Sequence, residues 1–355
     1  MIFSFSNKDF LDPKKVKAVY GVAGRGKSSV INNFLQSNNI RYTWTTSTNK
    51  LKRDAAERYG CEAMTVCSAL FTSSGGRFYI DEKEPANRII IIDEILQTSP
   101  KVLDWIRHHI GVYNIIVMTD THQMLAIDNK SAGGVSFLKE FEAFLAEPFV
   151  LCDEGTETKR ARDKETKEKI ESLYSLNGDT FGQFNKDICS GRFPIIGYDD
   201  MPFSTNDIYI THLNETEDFL YRDKSFASES FNTDELIPKG GIASKPPKDY
   251  TRYPILSQSQ AEKLRSQSYY QLANVGSCTR YQGSECTTGQ KLYYLVTPTS
   301  KVTNREWYTV VSRCWSLDSI VIVIVNRGKR EECKQFRGKK VKNVKILSIV
   351  KETNA

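Results

Sequence analysis

These 355 residues hold no run that crosses a membrane as a helix: the longest apolar stretch, residues 320–325, falls far short of the roughly 20 residues required. The first six residues, Met1-Ile2-Phe3-Ser4-Phe5-Ser6, have neither a basic lead nor an apolar core, so no secretory signal is expected. Eight cysteines are scattered singly, without one C-x-x-C pair. That argues against a zinc knuckle or a redox disulfide, and for free thiols in a reducing, intracellular compartment. No repeat at solenoid periods is visible. Excess charge is also absent from most of the chain. The net charge is +6, yet residues 326–355 alone carry ten Lys/Arg against three Asp/Glu, leaving the rest about neutral. Such a tail is either a solvated segment or a contact for an extended polyanion. What remains is an ordinary globular composition, 39% hydrophobic and 26% charged, long enough for two domains with real cores.

One stretch organises the chain: Gly21-Val22-Ala23-Gly24-Arg25-Gly26-Lys27-Ser28. It fits G-x-x-x-x-G-K-[ST], the phosphate loop of nucleotide hydrolases. Glycines at Gly21, Gly24 and Gly26 let backbone N–H groups close on a polyphosphate without Cβ clashes. Lys27 would place a point charge on the β- and γ-phosphates, and the Ser28 hydroxyl is a ligand for Mg²⁺. The context is right: residues 16–20 alternate as a strand should, and residues 28–35 read as an opening helix, whose N-terminus attracts anions.

Further along, residues 41–45 read as a strand running into Thr46-Ser47-Thr48-Asn49-Lys50-Leu51, then a helical stretch to Tyr59. Residues 63–70, which include Thr65, are apolar and ambiguous by periodicity. Four consecutive isoleucines, 89–92, predict a strand buried on both faces, the habit of a parallel sheet. Asp93 and Glu94 follow it. Asp93 is suited to hold Mg²⁺ through its hydration shell and Glu94 to polarise an attacking water. The strand at 114–118 ends in Thr119-Asp120-Thr121-His122-Gln123, where Gln123 is a candidate γ-phosphate sensor. Composition then turns charged and helical. Thr158-Lys159-Arg160-Ala161-Arg162-Asp163-Lys164 is expected to open a helix, either as a solvated face or with Arg160 or Arg162 reaching a phosphate. The domain boundary is expected near 150. Strands at 207–211, 292–296 and 318–325, with helices beginning at 212 and 306, make a second α/β set around a Ser/Pro/Lys/Gly-rich stretch at 225–265.

This order of motifs resembles that of superfamily 1 helicases, in the branch of small viral, phage and 5′-to-3′ enzymes. Gly21 to Ser28 looks like motif I, Asp93-Glu94 like motif II, and Thr119 to Gln123 like the G-D-x-x-Q of motif III. Arg160 sits where motif IV places an arginine. Ser277-Cys278-Thr279-Arg280-Tyr281-Gln282-Gly283-Ser284-Glu285 is similar to motif V, and Tyr308-Thr309-Val310-Val311-Ser312-Arg313 to motif VI. Residues 46–51 and 65–70 resemble motifs Ia and Ib.

The resemblance implies an α/β fold of two tandem RecA-like P-loop domains, each a parallel sheet with helices on both faces, over 1–150 and 151–325, followed by the basic tail. It implies ATP or another NTP with Mg²⁺ held by Ser28 and Asp93, and catalysis by Lys27, Asp93, Glu94 and Gln123 of the first domain. Arg160 and Arg313 of the second would act as arginine fingers, and Ser29, Gln282 and Gly283 would line the nucleotide. Thr46, Ser47, Thr65, Ser277, Thr279 and Arg280 would face single-stranded DNA or RNA; Trp44 and Trp307 are read first as core residues, with stacking on a base as the alternative for either. The implied activity is NTP-driven movement on single strands and duplex unwinding. The setting would be replication of a virus, phage or mobile element, alongside other replication proteins in a host cytoplasm or nucleus. The alternative is a movement-helicase-like protein that coats or transports nucleic acid with slow hydrolysis. Thr119 stands where the motif III glycine is usual, Thr279-Arg280 stand where motif V has His-Lys, and no glutamine precedes the phosphate loop.

Overall fold

In the computed structural model, the described residues are 6–70, 89–125, 137–202, 204, 206–212, 275–282 and 286–325, with strand segments at 231–232, 236–238, 255–256 and 270–272. The 225–265 stretch lies mostly, and the basic tail wholly, outside them, as do Gly283 and residues 213–215, where a helix was expected to begin. The chain divides into two compact units, residues 1–160 with 237–247, and 161–236 with 248–355. The division thus falls ten residues beyond the expected boundary. The physical reason is a strand that the sequence did not announce, Val150–Gly155, which pairs in parallel along the whole of Val16–Gly21 and so belongs to the first sheet.

Six parallel strands build that sheet: β1 (Val16–Gly21), β2 (Tyr42–Thr46), β3 (Glu62–Thr65), β4 (Ile89–Ile92), β5 (Asn114–Thr119) and β6 (Val150–Gly155), in the order β3-β2-β4-β5-β1-β6. The ambiguous segment at 63–70 resolves into β3 followed by a short helix, Val66–Leu70. All four isoleucines of β4 are buried. Alternation along the strand sends Ile90 and Ile92 to one face and Ile89 and Ile91 to the other. On the first face they meet Val102, Trp105 and Ile106 of a helix at Lys101–His108, and Phe137, Phe141 and Phe144 of another at Phe137–Leu145. On the second face they meet Ile31, Phe34 and Leu35 of the helix Lys27–Ser37, and Trp44 and Ala55. Helices therefore cover both faces. Local chemistry sets their ends: the Thr48 hydroxyl caps the helix Asn49–Tyr59 by accepting from the Leu51 N–H, and Gly60, at φ +59°, closes it.

The second unit holds five parallel strands, β7 (Ile195–Gly197), β8 (Ile208–Thr211), β9 (Val275–Ser277), β10 (Leu292–Val296) and β11 (Ile320–Ile324), ordered β9-β8-β10-β11-β7. The stretch at 158–164 opens a helix at its end, with residues 158–162 themselves non-helical. Asp163 is the N-cap, its carboxylate accepting from the Thr166 N–H at 2.7 Å, and the helix runs Lys164–Tyr174. A further helix, Asn304–Val311, is buried on every side. Trp307, within it, is fully buried against Phe184 and Phe193 and donates from its indole to Asp187 at 2.6 Å. Trp307 is thus a core residue, the first of its two readings, and not a base-stacking surface.

Lys17 departs from the expected alternation of β1. It is fully buried, its ammonium donating to the Asp12 carbonyl and the Asn114 side-chain oxygen, and burial pulls its pKa from 10.5 down to about 7. Between those two values the unfolded chain binds a proton that the folded chain has shed. Stability should therefore rise with pH across that window. Urea unfolding at about pH 7 and about pH 9 is expected to show this rise in the wild type and a flatter profile in Lys17→Met.

Candidate active site

A parallel sheet delivers the C-terminal ends of all its strands to one edge, and ligands of α/β sheets bind there. In the first unit this edge receives the loop after β1, the Thr46–Ser47 end of β2, Thr65 after β3, Asp93–Glu94 after β4, residues 120–123 after β5 and residues 156–160 after β6. The glycine loop takes its shape from close backbone approach. Gly21, Gly24 and Gly26 have φ of +118°, +77° and +93°. A Cβ on Gly21 would lie 2.1 Å from the Gly155 carbonyl oxygen, and one on Gly24 would lie 2.4 Å from Cβ of Arg160. Backbone bonds join the same partners: the Val22 N–H donates to Gly155 at 2.8 Å, and Lys159 donates to Gly24 at 2.9 Å. Arg25 completes the clamp with an ion pair to Asp153 at 2.7 Å and a further bond to the Tyr20 carbonyl. Arg160 is thus packed beside the loop within the first unit. This corrects the expectation that it comes from the second.

The helix Lys27–Ser37 starts directly from the loop, and its N-cap, Gly26, brings no side chain to cap the first-turn amides. Those amides are the anion-attracting end of the helix. Lys27 donates from its ammonium to the carbonyls of Gly21 at 2.9 Å and Val22 at 3.2 Å. Enclosure lowers its pKa, while the charges of Asp120, Glu94 and Asp93 act to raise it. The Asp93 carboxyl is pushed up to about 6, chiefly by burial, against a hydrogen bond from Trp44 and the charge of Lys27. Glu94 has a left-handed backbone, φ +53°, which a residue with a side chain adopts only at a cost of about 1 kcal/mol or more. Gln123 is buried and its amide donates to Asp120 at 3.1 Å, while the other Asp120 oxygen accepts from the His122 N–H at 2.9 Å. One positive side chain therefore stands among three carboxylates with an amide close by.

Among the described residues no group of three or more His, Cys, Asp or Glu is arranged to hold a metal by itself. The oxygen pair of Ser28 and Asp93 suits Mg²⁺, which keeps several waters and takes one or two protein ligands plus phosphate oxygens. Both lie where a phosphate on the loop would bring such an ion. Ser29, by contrast, is exposed on the helix.

The candidate strand-binding residues divide. Thr46 is buried and its hydroxyl donates to the Thr48 carbonyl, so it shapes the turn. Ser47 is half-buried and donates to the Gln97 side chain at 2.9 Å. The Thr65 hydroxyl pairs with that of Ser68 at 2.8 Å. In the second unit Ser277 ends β9 in parallel register with Thr211 of β8, and the two buried hydroxyls have no hydrogen-bond partner. Thr279 and Gln282 follow within and after a single helical turn, Cys278–Tyr281, with Gln282 fully buried. The backbone of Arg280 belongs to that turn, but its side chain is not among those described. Arg313 is buried, donating to the Thr309 carbonyl and the Ser312 hydroxyl, both at 3.2 Å. Glu306 anchors this region, accepting from His212 and Tyr294 at 2.6 Å and from Cys278 at 3.6 Å. Arg162 stacks on Trp315, 5.0 Å from the ring centroid.

Sequence reasoning missed Arg25, Asp120, Asp153, Thr158 and Trp44 as parts of the site. Asp120 was legible as the fixed acid of its motif. The others are close only because β6 lies beside β1 and β2 beside β4. Trp44 in particular is fully buried, so it is no surface for a base.

Comparisons agree with this arrangement. Residues 8–139 match a family described as the AAA domain. The Pif1 helicase from Candida albicans superposes with a TM-score of 0.55 at 14% identity, over 98% of this chain and 99% of that one. The Pif1 helicase from Bacteroides, solved with ADP-AlF3 and single-stranded DNA, gives 0.55 at 14% identity over 88% and 89%. A structure of two coordinating Pif1 helicases at forked duplex DNA gives 0.54 at 14% over 87% and 88%. No curated protein matches the chain significantly. At this identity the likeness establishes the fold: tandem RecA-like domains of the Pif1 type, the first an AAA-type P-loop domain.

Two alanine substitutions separate strain from collision. Gly26→Ala has open space around its new methyl group, so it should cost only the left-handed backbone penalty of about 1–2 kcal/mol. Gly24→Ala must also push residues 158–160 away, and is expected to cost clearly more in urea unfolding and to weaken nucleotide binding further.

Proposed function

We propose that this chain is a nucleic-acid-stimulated NTPase that moves along single strands and unwinds duplexes. The observation that carries the reading is convergence: the glycine loop, Asp93-Glu94 and the Asp120–Gln123 loop meet at one edge of a parallel sheet, in a Pif1-type tandem fold. The chemistry is phosphoryl transfer to water, in which catalysis is largely positioning and charge stabilisation.

Each residue then has a task. The loop amides and the helix N-terminus hold the phosphates, and the Lys27 ammonium exchanges its loop carbonyls for phosphate oxygens. Magnesium, bound through Ser28 and Asp93, would neutralise charge on the β- and γ-phosphates. Glu94 accepts a hydrogen bond from the attacking water, and the Gln123 amide, buffered by Asp120, reports whether the γ-phosphate is present. Arg313 is assigned the arginine-finger role on its place at the end of Tyr308 to Arg313, and Arg160 a phosphate contact beside the loop.

Single-stranded DNA is the favoured track, because the structural relatives include Pif1 helicases solved with single-stranded and forked DNA. Ser47, Thr65, Thr211 and Ser277 supply hydroxyls at strand ends, suited to a sugar-phosphate backbone. Replication of a virus, phage or mobile element is the setting we propose, in line with the absence of glutamine before the phosphate loop. Among the described residues no helix is long and apolar enough to cross a membrane.

Steady-state NTP hydrolysis with no polymer, with single-stranded DNA and with single-stranded RNA tests the reading. Strong stimulation by one polymer supports a motor and names its track, whereas no stimulation by either rejects it. Cooperative coating without strand separation would instead favour a transport protein. Lys27→Ala should abolish hydrolysis, and near-normal turnover would refute the site. Arg313→Ala is expected to lower kcat by on the order of 10³-fold while nucleotide affinity changes little.

A further inference from the structure

We propose that the buried Trp44, with the half-buried ring of Tyr59 packed against it, is a positioning residue for the metal–phosphate site, holding Asp93 in the geometry that a magnesium–nucleotide complex requires. This rests on the nucleotide-hydrolase reading above. Trp44 lies on β2 with its ring fully buried, and its indole N–H donates to Oδ2 of Asp93 at 3.1 Å. Tyr59 lies at the end of the helix that follows β2, its ring 4.6 Å from that of Trp44 at a 30° tilt. The two rings thus touch each other, and the indole reaches one of the two oxygen groups assigned to the ion.

The physical argument concerns side-chain freedom. A carboxylate at the end of a strand has several rotamers of similar energy, and only some direct an oxygen at a bound ion. An indole N–H is a donor only and cannot itself ligate a metal. Pinned by core packing, it occupies one Asp93 oxygen and so fixes where the other points. Outer partners of this kind orient the ligands of a metal, and their loss typically costs 10–100-fold in affinity. The rings are themselves held from behind. The Asp93 N–H donates to the Thr45 carbonyl at 2.9 Å and the Thr45 hydroxyl donates to Ile91 at 2.8 Å, so β2 and the Asp93 turn move as one piece.

The test is ADP affinity of the full chain, measured by titration calorimetry with Mg²⁺ and with EDTA. Trp44→Phe keeps a ring against Tyr59 and removes the donor. Tyr59→Phe keeps the ring and removes the hydroxyl. In each variant the affinity in EDTA should stay within about twofold of the wild type. The gain in affinity that Mg²⁺ brings should shrink about tenfold or more for Trp44→Phe and stay close to that of the wild type for Tyr59→Phe, which keeps the ring contact. A purely structural role would lower the melting temperature and weaken both affinities together, leaving the Mg²⁺ gain intact. Asp93→Asn should lose the same gain, and adding Trp44→Phe to it should cost little more. A folded Trp44→Phe chain that keeps the full Mg²⁺ gain overturns the proposal. If Trp44→Phe does not fold, Trp44→Leu, which also lacks the donor, decides it by the same criterion. A wild-type chain whose ADP affinity ignores Mg²⁺ overturns the nucleotide-hydrolase reading itself, and this proposal with it.

Discussion

Every strand in the first sheet runs the same way, and the site depends on that single constraint. Parallel pairing from β3 through β6 places six loop openings along one edge. Side chains separated by more than a hundred positions, such as those of Arg25 and Asp153, can then meet. Parallel sheets need both faces covered, because their crossover helices lie on the faces. Here the two faces carry separate apolar clusters joined only through the strands. The edge is consequently rigid where it must be, and its loops are free to hold polar chemistry.

At that edge the structure concentrates charge that would be costly in isolation. Lys27 is desolvated, but Asp120, Glu94 and Asp93 offset the loss by favouring its charged form. Asp93 is enclosed in turn, and Trp44 and Lys27 together oppose the rise in its pKa. An arrangement of this kind has excess affinity for a group that brings both phosphate oxygens and a divalent cation. The strained backbone at Glu94 belongs to the same picture. Such outliers persist where the surroundings over-determine them, and here the outlier is itself the residue assigned to the water.

The second unit repeats the plan with different means. Its strand-end hydroxyls at Thr211 and Ser277 are buried and lack partners, while Glu306 gathers His212, Tyr294 and Cys278 behind them. A buried carboxylate with three donors is stable only if all three stay in place, so it ties the turn after β9 to the helix that leads to Arg313.

How much of this was legible depends on the range of the interactions concerned. The phosphate loop, the buried isoleucine strand with Asp93-Glu94 after it, and the acid–glutamine loop are written in contiguous residues, so spacing alone identified them and the parallel α/β class. The strand Val150–Gly155 was not legible, because its burial is mixed and its identity comes from pairing with β1. For the same reason the domain division moved to residue 160, and Arg160 joined the first unit. Trp44 and Trp307 read as core before surface, and packing encloses both. Sequence by itself determined which chemical groups are available and the order in which strands present them. Tertiary structure alone decided which groups share a hydrogen bond, because sheet order and ring packing are set by contacts between segments far apart in the chain.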